Sequence, residues 1–130
     1  MFDIVARARG SMAALPTPYR FGKVDAEALD KLCERLIAHG TSALVPCGTT
    51  GEAPLLTPDE HRLVIARTVA AAAGRVPVIA GAGSNNTQTA VELAQSAEKA
   101  GASALLCVTP FYLKPSQSGL VGHFKALNSS

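Results

Sequence analysis

The sequence predicts an α/β fold with a parallel sheet, assembled from about four βα units within 130 residues. Short and continuously apolar runs at 43–47 and 76–80 are typical of strands that are covered on both faces. Each run is followed by a polar loop and then by an amphipathic helix, which is the order of a βα unit. The segment AHGTSALV at 38–45 is also echoed by KAGASALL at 99–106, which indicates a repeated unit.

The first helix is predicted at 29–37, where apolar residues recur with helical spacing. Asp25 is its expected N-cap, and Gly40 follows its end. A strand at 12–15 precedes this helix, and a strand at 43–47 follows it. The apolar stripe of the helix is formed by Leu29, Leu32, Cys33, Leu36 and Ile37.

The second helix has the clearest start in the chain. Thr57 is its predicted N-cap, Pro58 takes its first position, and Glu60 completes a capping box. Strands at 76–80 and 104–108 each lead through a loop into another helix. The apolar sides of these last two helices are formed by Ala90, Leu93, Ala94 and Ala97, and by Leu120, Phe124 and Leu127.

Two architectures accommodate four consecutive βα units with right-handed crossovers. One is a doubly wound open sheet that is complete within this chain. The other is the N-terminal half of a (β/α)8 TIM barrel, because a whole barrel uses about 250 residues. In both architectures ligands bind at the carboxyl ends of the strands.

Composition limits the classes of function. A hydrophobic content of 48% with 17% charged residues is typical of a folded globular protein. The net charge of +2 comes from scattered residues, which argues against nucleic-acid and membrane partners. Cys33, Cys47 and Cys107 lack metal-ligand spacing, so we expect buried free thiols, no metal site and a reducing compartment. No segment suits a signal peptide or a transmembrane helix, and cytoplasmic location is therefore expected.

Three loops are candidates for a functional site. The loop GTTGE at 48–52 offers hydroxyls and backbone amides to a carboxylate or phosphate, although a plain turn has the same composition. The loop at 81–86 lacks both the G-x-G-x-x-G pattern and the Walker lysine. The loop at 109–117 brings Phe111 and Tyr112 to the expected mouth of a site.

The histidines and lysines give weaker signals. No histidine pair has metal-ligand spacing, so surface or capping positions are expected for all three. We expect no lysine inside a strand, where a desolvated amine of lowered pKa can be held for imine formation. The histidines are His39, His61 and His123, and the lysines assigned to turns or helices are Lys23, Lys99, Lys114 and Lys125.

Three motifs together resemble the dihydrodipicolinate synthase family, in the superfamily that includes N-acetylneuraminate lyase. They are GTTGE at 48–52, VIAGAG at 78–83 and TPFYLKPSQ at 109–117, and the resemblance extends from Gly10 to Leu127. Thr49 and Thr50 favour this family over N-acetylneuraminate lyase, which typically has Ser-Thr there. Sister pyruvate aldolases that share Thr-Thr stay open as an alternative.

The resemblance implies a class I aldolase, a lyase of lysine (diaminopimelate) biosynthesis. Such an enzyme condenses pyruvate with L-aspartate 4-semialdehyde to give 4-hydroxy-tetrahydrodipicolinate. It forms a Schiff base on a lysine and needs no metal or organic cofactor. The resemblance also implies a cytoplasmic homotetramer, arranged as a dimer of dimers, without nucleic-acid or membrane partners.

Individual roles are carried over by position. The resemblance makes Thr49 a substrate-binding residue and the hydroxyl of a catalytic proton relay, and makes Thr50 the holder of the pyruvate carboxylate. Tyr112 matches the catalytic relay tyrosine that reaches into the site of a neighbouring subunit. Uncharged hydroxyls suit this task because they pass a proton without stabilising an ion at either end.

An allosteric lysine site is implied at Ser84, Asn85 and His61. Three neighbouring positions depart from the residues that the family commonly has there, which are histidine, glutamate and tyrosine. We therefore expect weak or absent inhibition by lysine. The departures are Pro58, Thr89 and Phe111.

The family's imine lysine lies on its sixth strand, and a second relay tyrosine and a carboxylate-binding arginine follow the fifth. Residues 1–130 stop before all three, and Asn128–Ser130 departs from the family. We therefore expect 1–130 to be a partial TIM-barrel catalytic domain, truncated before the lysine strand and inactive alone.

Two further alternatives stay open at this point. One is a non-catalytic or nucleotide-binding doubly wound domain. Pro16 and Pro18 argue against it, because prolines lack the N–H donors that a phosphate-binding loop after the first strand needs. The other is a structural half-barrel that pairs its edge strands with another copy.

Overall fold

The computed structural model describes residues 4–7 and 9–129. The first part of the chain contains α1 (Ile4–Arg7), β1 (Met12–Ala14), β2 (Tyr19–Arg20), β3 (Lys23–Val24) and α2 (Ala26–Ala38). The middle part contains β4 (Ala43–Val45), a 3-10 turn (Ala53–Leu55), α3 (Pro58–Ala72) and β5 (Ile79–Gly81). The last part contains α4 (Thr87–Lys99), β6 (Ala104–Leu106) and α5 (Gln117–Asn128).

The parallel strands follow one another in chain order. β1 pairs with β4, a bridge between Leu44 and Val78 joins β4 to β5, and β5 pairs with β6. Neighbouring helices pack against each other in the same order, α2 on α3, α3 on α4 and α4 on α5. A doubly wound sheet instead reverses its strand order and carries helices on both faces. The predicted α/β fold of four βα units is confirmed, and the alternative of a doubly wound sheet is wrong.

The core lies between the sheet and the α2–α3 helix pair. Leu15, Leu29, Leu44 and Ile65 are at most 1% exposed there. The two helices are joined at their surface by paired charges, since Arg67 binds Asp30 and Arg75 binds Glu34. Such half-exposed pairs contribute little free energy, so burial of apolar area dominates the packing.

Local signals positioned the helix starts as predicted. The Asp25 side chain accepts the Ala28 N–H at 3.0 Å, and the Thr57 hydroxyl accepts the Glu60 N–H at 3.3 Å. The Glu60 carboxylate in turn accepts the Thr57 N–H at 2.9 Å, which completes the capping box. The hydrogen bonds from the Thr57 backbone N–H and from the Thr57 hydroxyl lower the pKa of Glu60.

Several details differ from the prediction. The loop after β1 contains the antiparallel hairpin β2–β3, whose tip residue Phe21 is 97% exposed with a φ of 50°. His61 and His123 are buried, so surface positions were wrong for them, whereas exposed His39 lies at the end of α2 as expected. Cys33 and Cys47 are buried free thiols, but Cys107 is only partly buried.

Two kinds of feature are absent from the described residues. No helix within 4–7 and 9–129 is long and apolar enough to cross a membrane. The same residues contain no cluster of three or more His, Cys, Asp or Glu side chains with the geometry of a metal site.

Candidate active site

The loop that follows β4 turns sharply at a buried cysteine. Cys47 has a φ of 57°, which is the left-handed region, and it redirects the chain into Gly48 and Thr49. The turn is closed by backbone hydrogen bonds from the Gly51 and Glu52 N–H groups to the Gly48 and Thr49 carbonyls, both 3.0 Å. This geometry presents the loop at the carboxyl end of the strand, where ligands bind in parallel α/β folds.

A buried threonine from the loop that follows β1 anchors this turn. Thr17 is 6% exposed, and its hydroxyl donates to the Gly51 carbonyl oxygen at 2.7 Å. The Gly51 Cα also packs closely on the Leu15 carbonyl, because a Cβ built there would lie 3.0 Å from that oxygen. The residue pattern around Thr17 did not reveal this role, since a threonine between two prolines has no distinctive signal by itself.

Gly81, at the end of β5, lies closer to another backbone segment than the other glycines do. A Cβ built on Gly81 would lie 1.9 Å from the Cys47 carbonyl oxygen and 2.4 Å from its carbonyl carbon. The Gly81 N–H donates to the Pro46 carbonyl oxygen at 2.9 Å, so the two backbones are joined at this point. The end of β5 thus supports the turn that carries Thr49 and Thr50.

Thr49 and Thr50 are exposed at the tip of the supported turn. Among the described residues neither backbone N–H donates to a protein acceptor. Adjacent free amides and hydroxyls at a rigid turn form a concavity suited to a carboxylate or phosphate oxygen. The arrangement can therefore bind a small anion and can offer a hydroxyl for proton transfer.

His61 on α3 supports the turn indirectly, through a hydrogen bond to Gly81 at the end of β5. Its Nε2 lies 2.7 Å from the Gly81 carbonyl oxygen, to which the ring N–H donates. The ring is 3% exposed, and burial lowers the pKa of His61, so the neutral form prevails. With Nε2 protonated, Nδ1 is an acceptor, and no described group donates to it.

The buried cysteines are not suited to nucleophilic chemistry. Burial raises the pKa of the Cys47 thiol to about 12 and that of Cys33 to about 11. The thiolate is the reactive form, and it is therefore scarce at both sites near neutral pH. Packing is the function that these side chains serve.

In the third candidate loop, which follows β6, both aromatic side chains are exposed to solvent. Tyr112 is 95% exposed with a φ of 71°, and Lys114 also has a positive φ of 46°. A side chain so exposed makes almost no contact with the rest of the chain, so Tyr112 does not contact the Thr49 turn. Gly83 supports the start of this loop, because a Cβ there would lie 2.6 Å from the Val108 backbone nitrogen.

A pocket of about 280 Å³ lies beside His61, between the 3-10 turn, α3 and α4. His61 and Ser84, two of the three residues predicted for a lysine site, line it, whereas Asn85 is not part of its wall. No aspartate or glutamate of the described residues lines it. The other lining residues are Ala53, Pro54, Leu56, Pro58, Gly81, Gly83, Thr89, Leu93 and Phe111.

The lysines lack the environment of an imine-forming amine. Lys23 lies in β3 and so contradicts the expectation that no lysine occupies a strand, but this hairpin strand is outside the parallel sheet. All five lysines of the chain are exposed. An imine-forming lysine is held in a desolvated site, and these exposed side chains have no such surroundings.

Comparison with known proteins gives consistent matches. The model of the Dihydrodipicolinate synthetase family matches residues 7–130. The 4-hydroxy-tetrahydrodipicolinate synthase of Roseobacter denitrificans is 59% identical over 92% of this chain, which spans only 41% of that relative. The solved structure of dihydrodipicolinate synthase from Aquifex aeolicus is 50% identical, with a TM-score of 0.90 over 92% of this chain and 41% of its own. The chloride-inhibited Acinetobacter baumannii enzyme complexed with pyruvate is 46% identical, with a TM-score of 0.89 over 92% and 42%.

These matches bear out the predicted resemblance and architecture. Each aligned structure is much longer than this chain, and the TM-scores of 0.90 and 0.89 show that the aligned part has the same fold. The described residues therefore correspond to the N-terminal part of a TIM barrel, and they form no closed barrel themselves.

Proposed function

Because this chain belongs to the dihydrodipicolinate synthetase family, we propose that it forms the pyruvate-binding part of a 4-hydroxy-tetrahydrodipicolinate synthase. The reaction is the condensation of pyruvate with L-aspartate 4-semialdehyde in lysine biosynthesis. Residues 1–130 are a partial TIM-barrel catalytic domain, and cytoplasmic location is part of the same proposal. The observation that carries it is the anchored turn with free Thr49 and Thr50 amides at the carboxyl end of β4.

The turn can serve two steps of such a reaction. The Thr50 N–H and hydroxyl donate hydrogen bonds to the carboxylate of pyruvate, which orients the keto carbon toward the centre of the barrel. The Thr49 hydroxyl gives and takes a proton as the keto oxygen leaves and the enamine forms. The amine that attacks the keto carbon comes from a part of the barrel outside this chain, since all its lysines are exposed.

Tyr112 supports a role for a second subunit. A tyrosine that is 95% exposed in a left-handed conformation is held away from its own core at a cost in backbone strain. This is the arrangement expected of a side chain that projects into a neighbouring protomer's site. It fits the proposed homotetramer of two tight dimers.

A chimaera tests the proposed roles. We expect synthase activity when this chain replaces the matched region of the Roseobacter denitrificans relative. In that chimaera Thr49→Val should lower kcat about a hundredfold, because general acid–base catalysis contributes at least that much. Thr50→Val should mainly raise KM for pyruvate. Steady-state kinetics with Thr49→Ser as the matched control checks this, and equal kcat for Thr49→Val and wild type would contradict the relay.

The 130-residue chain alone should not form an imine with pyruvate. After incubation with pyruvate and borohydride we expect an unchanged intact mass, because none of its five lysines is desolvated. The chimaera, treated in parallel, should gain one reduced pyruvyl group. A stable adduct on the isolated chain would overturn the assignment of the nucleophile to another part of the barrel.

The pocket beside His61 is the proposed allosteric site, and it should respond weakly to lysine. A lysine ligand brings an α-ammonium and a side-chain ammonium, and neither finds a carboxylate in the pocket wall. Transfer of an unpaired charge into such a site is costly. Pro58, Thr89 and Phe111 all line the pocket, so the three departures from the family meet in one place.

An NMR titration of lysine into the isotope-labelled chain measures how strongly the pocket binds lysine. We expect no saturable change of the Ser84 and Thr89 amide resonances in the wild type. The triple variant Pro58→His, Thr89→Glu and Phe111→Tyr should show saturable binding, because it adds a carboxylate and two polar groups. The double variant without the glutamate is the matched control and should not bind. Micromolar binding by the wild type would contradict the proposal.

A further inference from the structure

The backbone around Thr17 is restricted beside the turn at 48–52. Thr17 lies between Pro16 and Pro18, and a proline fixes its own φ and disfavours helical backbone at the residue before it. The Pro18 carbonyl oxygen accepts the Asp25 N–H at 2.8 Å, which closes the β2–β3 hairpin. The buried Thr17 side chain is therefore placed with little conformational freedom.

The Thr17 hydroxyl begins a chain of hydrogen bonds through the turn. It donates to the Gly51 carbonyl oxygen at 2.7 Å. That carbonyl shares one planar peptide unit with the Glu52 N–H, which donates to the Thr49 carbonyl oxygen at 3.0 Å. The Thr49 carbonyl in turn shares a peptide unit with the Thr50 N–H. The chain of bonds therefore ends on the Thr50 N–H, which donates to no acceptor among the described residues.

Such a chain of bonds fixes and polarises the free amide at its end. Each bond orients the next peptide dipole, and hydrogen bonds in series strengthen one another. Gly51 also packs directly on the Leu15 carbonyl oxygen, which a Cβ on Gly51 would approach to 3.0 Å, so the turn has no room to move toward β1. A donor that is already oriented binds an anion more tightly than one that must first be ordered.

We propose that Thr17 is a positioning residue, whose hydroxyl orients the Thr50 N–H for the carboxylate of pyruvate. This inference rests on the proposed function, which puts that carboxylate at Thr50. Thr17 acts through the turn rather than by contact with the substrate, because it is buried and its hydroxyl donates to Gly51. The chain of bonds runs through the Thr49 backbone and not through the Thr49 hydroxyl. Its effect therefore falls on the affinity for pyruvate and not on proton transfer.

Steady-state kinetics of the chimaera test the effect on affinity. Thr17→Val keeps the side-chain shape and removes the hydroxyl, so KM for pyruvate should rise about fivefold, the effect of one hydrogen bond, with kcat changed less than about twofold. Thr17→Ser keeps the hydroxyl and should have the wild-type KM. Thr41→Val is the matched control, because Thr41 is also buried and its hydroxyl donates to the Ala43 carbonyl oxygen at the opposite end of β4. An unchanged KM in Thr17→Val, or an equal rise in Thr41→Val, would overturn the inference.

Hydrogen exchange in the 130-residue chain tests the same geometry without substrate. The Glu52 N–H is the middle donor of the chain of bonds, so its exchange with deuterium should be about fivefold faster in Thr17→Val. The rate in Thr17→Ser and Thr41→Val should stay near that of the wild type, and circular dichroism verifies that each variant folds. A Glu52 exchange rate that does not respond to Thr17→Val would refute the positioning role. An inactive chimaera with Thr17 intact would instead count against the proposed function, and the exchange rates would then decide the inference alone.

Discussion

Gly81→Ala is expected to destabilise the chain by more than about 3 kcal/mol, at the upper end of overpacking effects. The added methyl group would lie 1.9 Å from the Cys47 carbonyl oxygen, and that atom belongs to the backbone of the adjacent turn. Separation of the two segments would break the hydrogen bond from the Gly81 N–H to the Pro46 carbonyl oxygen. A domain with a total stability of about 5–15 kcal/mol loses much of it through such a change.

Urea unfolding followed by circular dichroism measures the effect. Gly122→Ala is the matched control because Gly122 lies in α5, and a Cβ there meets nothing within 4 Å. It should stabilise the chain by up to about 1 kcal/mol, since alanine is the better helix former. If the two substitutions shifted the midpoint in the same direction, the close contact of Gly81 with Cys47 would be refuted.

The sequence predicted the order of elements because each element carries a local signal. The reciprocal bonds of Thr57 and Glu60 depend on residues three positions apart, so they can be recognised before any fold is known. The apolar run at 43–47 likewise predicted a strand covered on both faces, and every residue of β4 is buried. Local chemistry decides features of this kind.

Long-range contacts could not be predicted in this way. The approach of Gly81 to Cys47 joins residues far apart in sequence, and the bond from Thr17 to Gly51 spans 34 positions. Nothing in either residue's neighbours specifies such a partner. The site was therefore identified through the family's motifs rather than through geometry, and the roles of Thr49, Thr50 and Tyr112 stay predictions.

The burial of His61 does have a local signal in the sequence. On a helix, residues at i, i+3, i+4, i+7 and i+11 share one face. His61 begins such a series, and its other members are all buried. A histidine on an apolar stripe is better interpreted as a buried group with one fixed partner than as a surface residue. The other members of the stripe are Val64, Ile65, Thr68 and Ala72.

His61→Ala is expected to lower the free energy of unfolding by about 2–4 kcal/mol, combining a lost buried side chain with a lost hydrogen bond. The Gly81 carbonyl would lose the donor that now lies 2.7 Å away, and a hole would open beside β5. His39→Ala is the matched control, because His39 is exposed and its ring bonds to the Arg35 carbonyl of its own helix. The control should change stability by less than about 0.5 kcal/mol.

The same residue should make stability depend on pH. Burial lowers the pKa of His61 in the folded chain below its ordinary value of 6.5, so below that pH the unfolded state takes up a proton first. Stability contributed by neutral His61 is therefore complete above pH 6.5 and is lost as the pH falls toward the folded-state pKa. In wild type and in His39→Ala, the free energy of unfolding should be larger at about pH 7.5 than at about pH 5.5. In His61→Ala this difference should be much smaller. An undiminished difference in His61→Ala would assign the titration to another group and leave His61 as a packing residue alone.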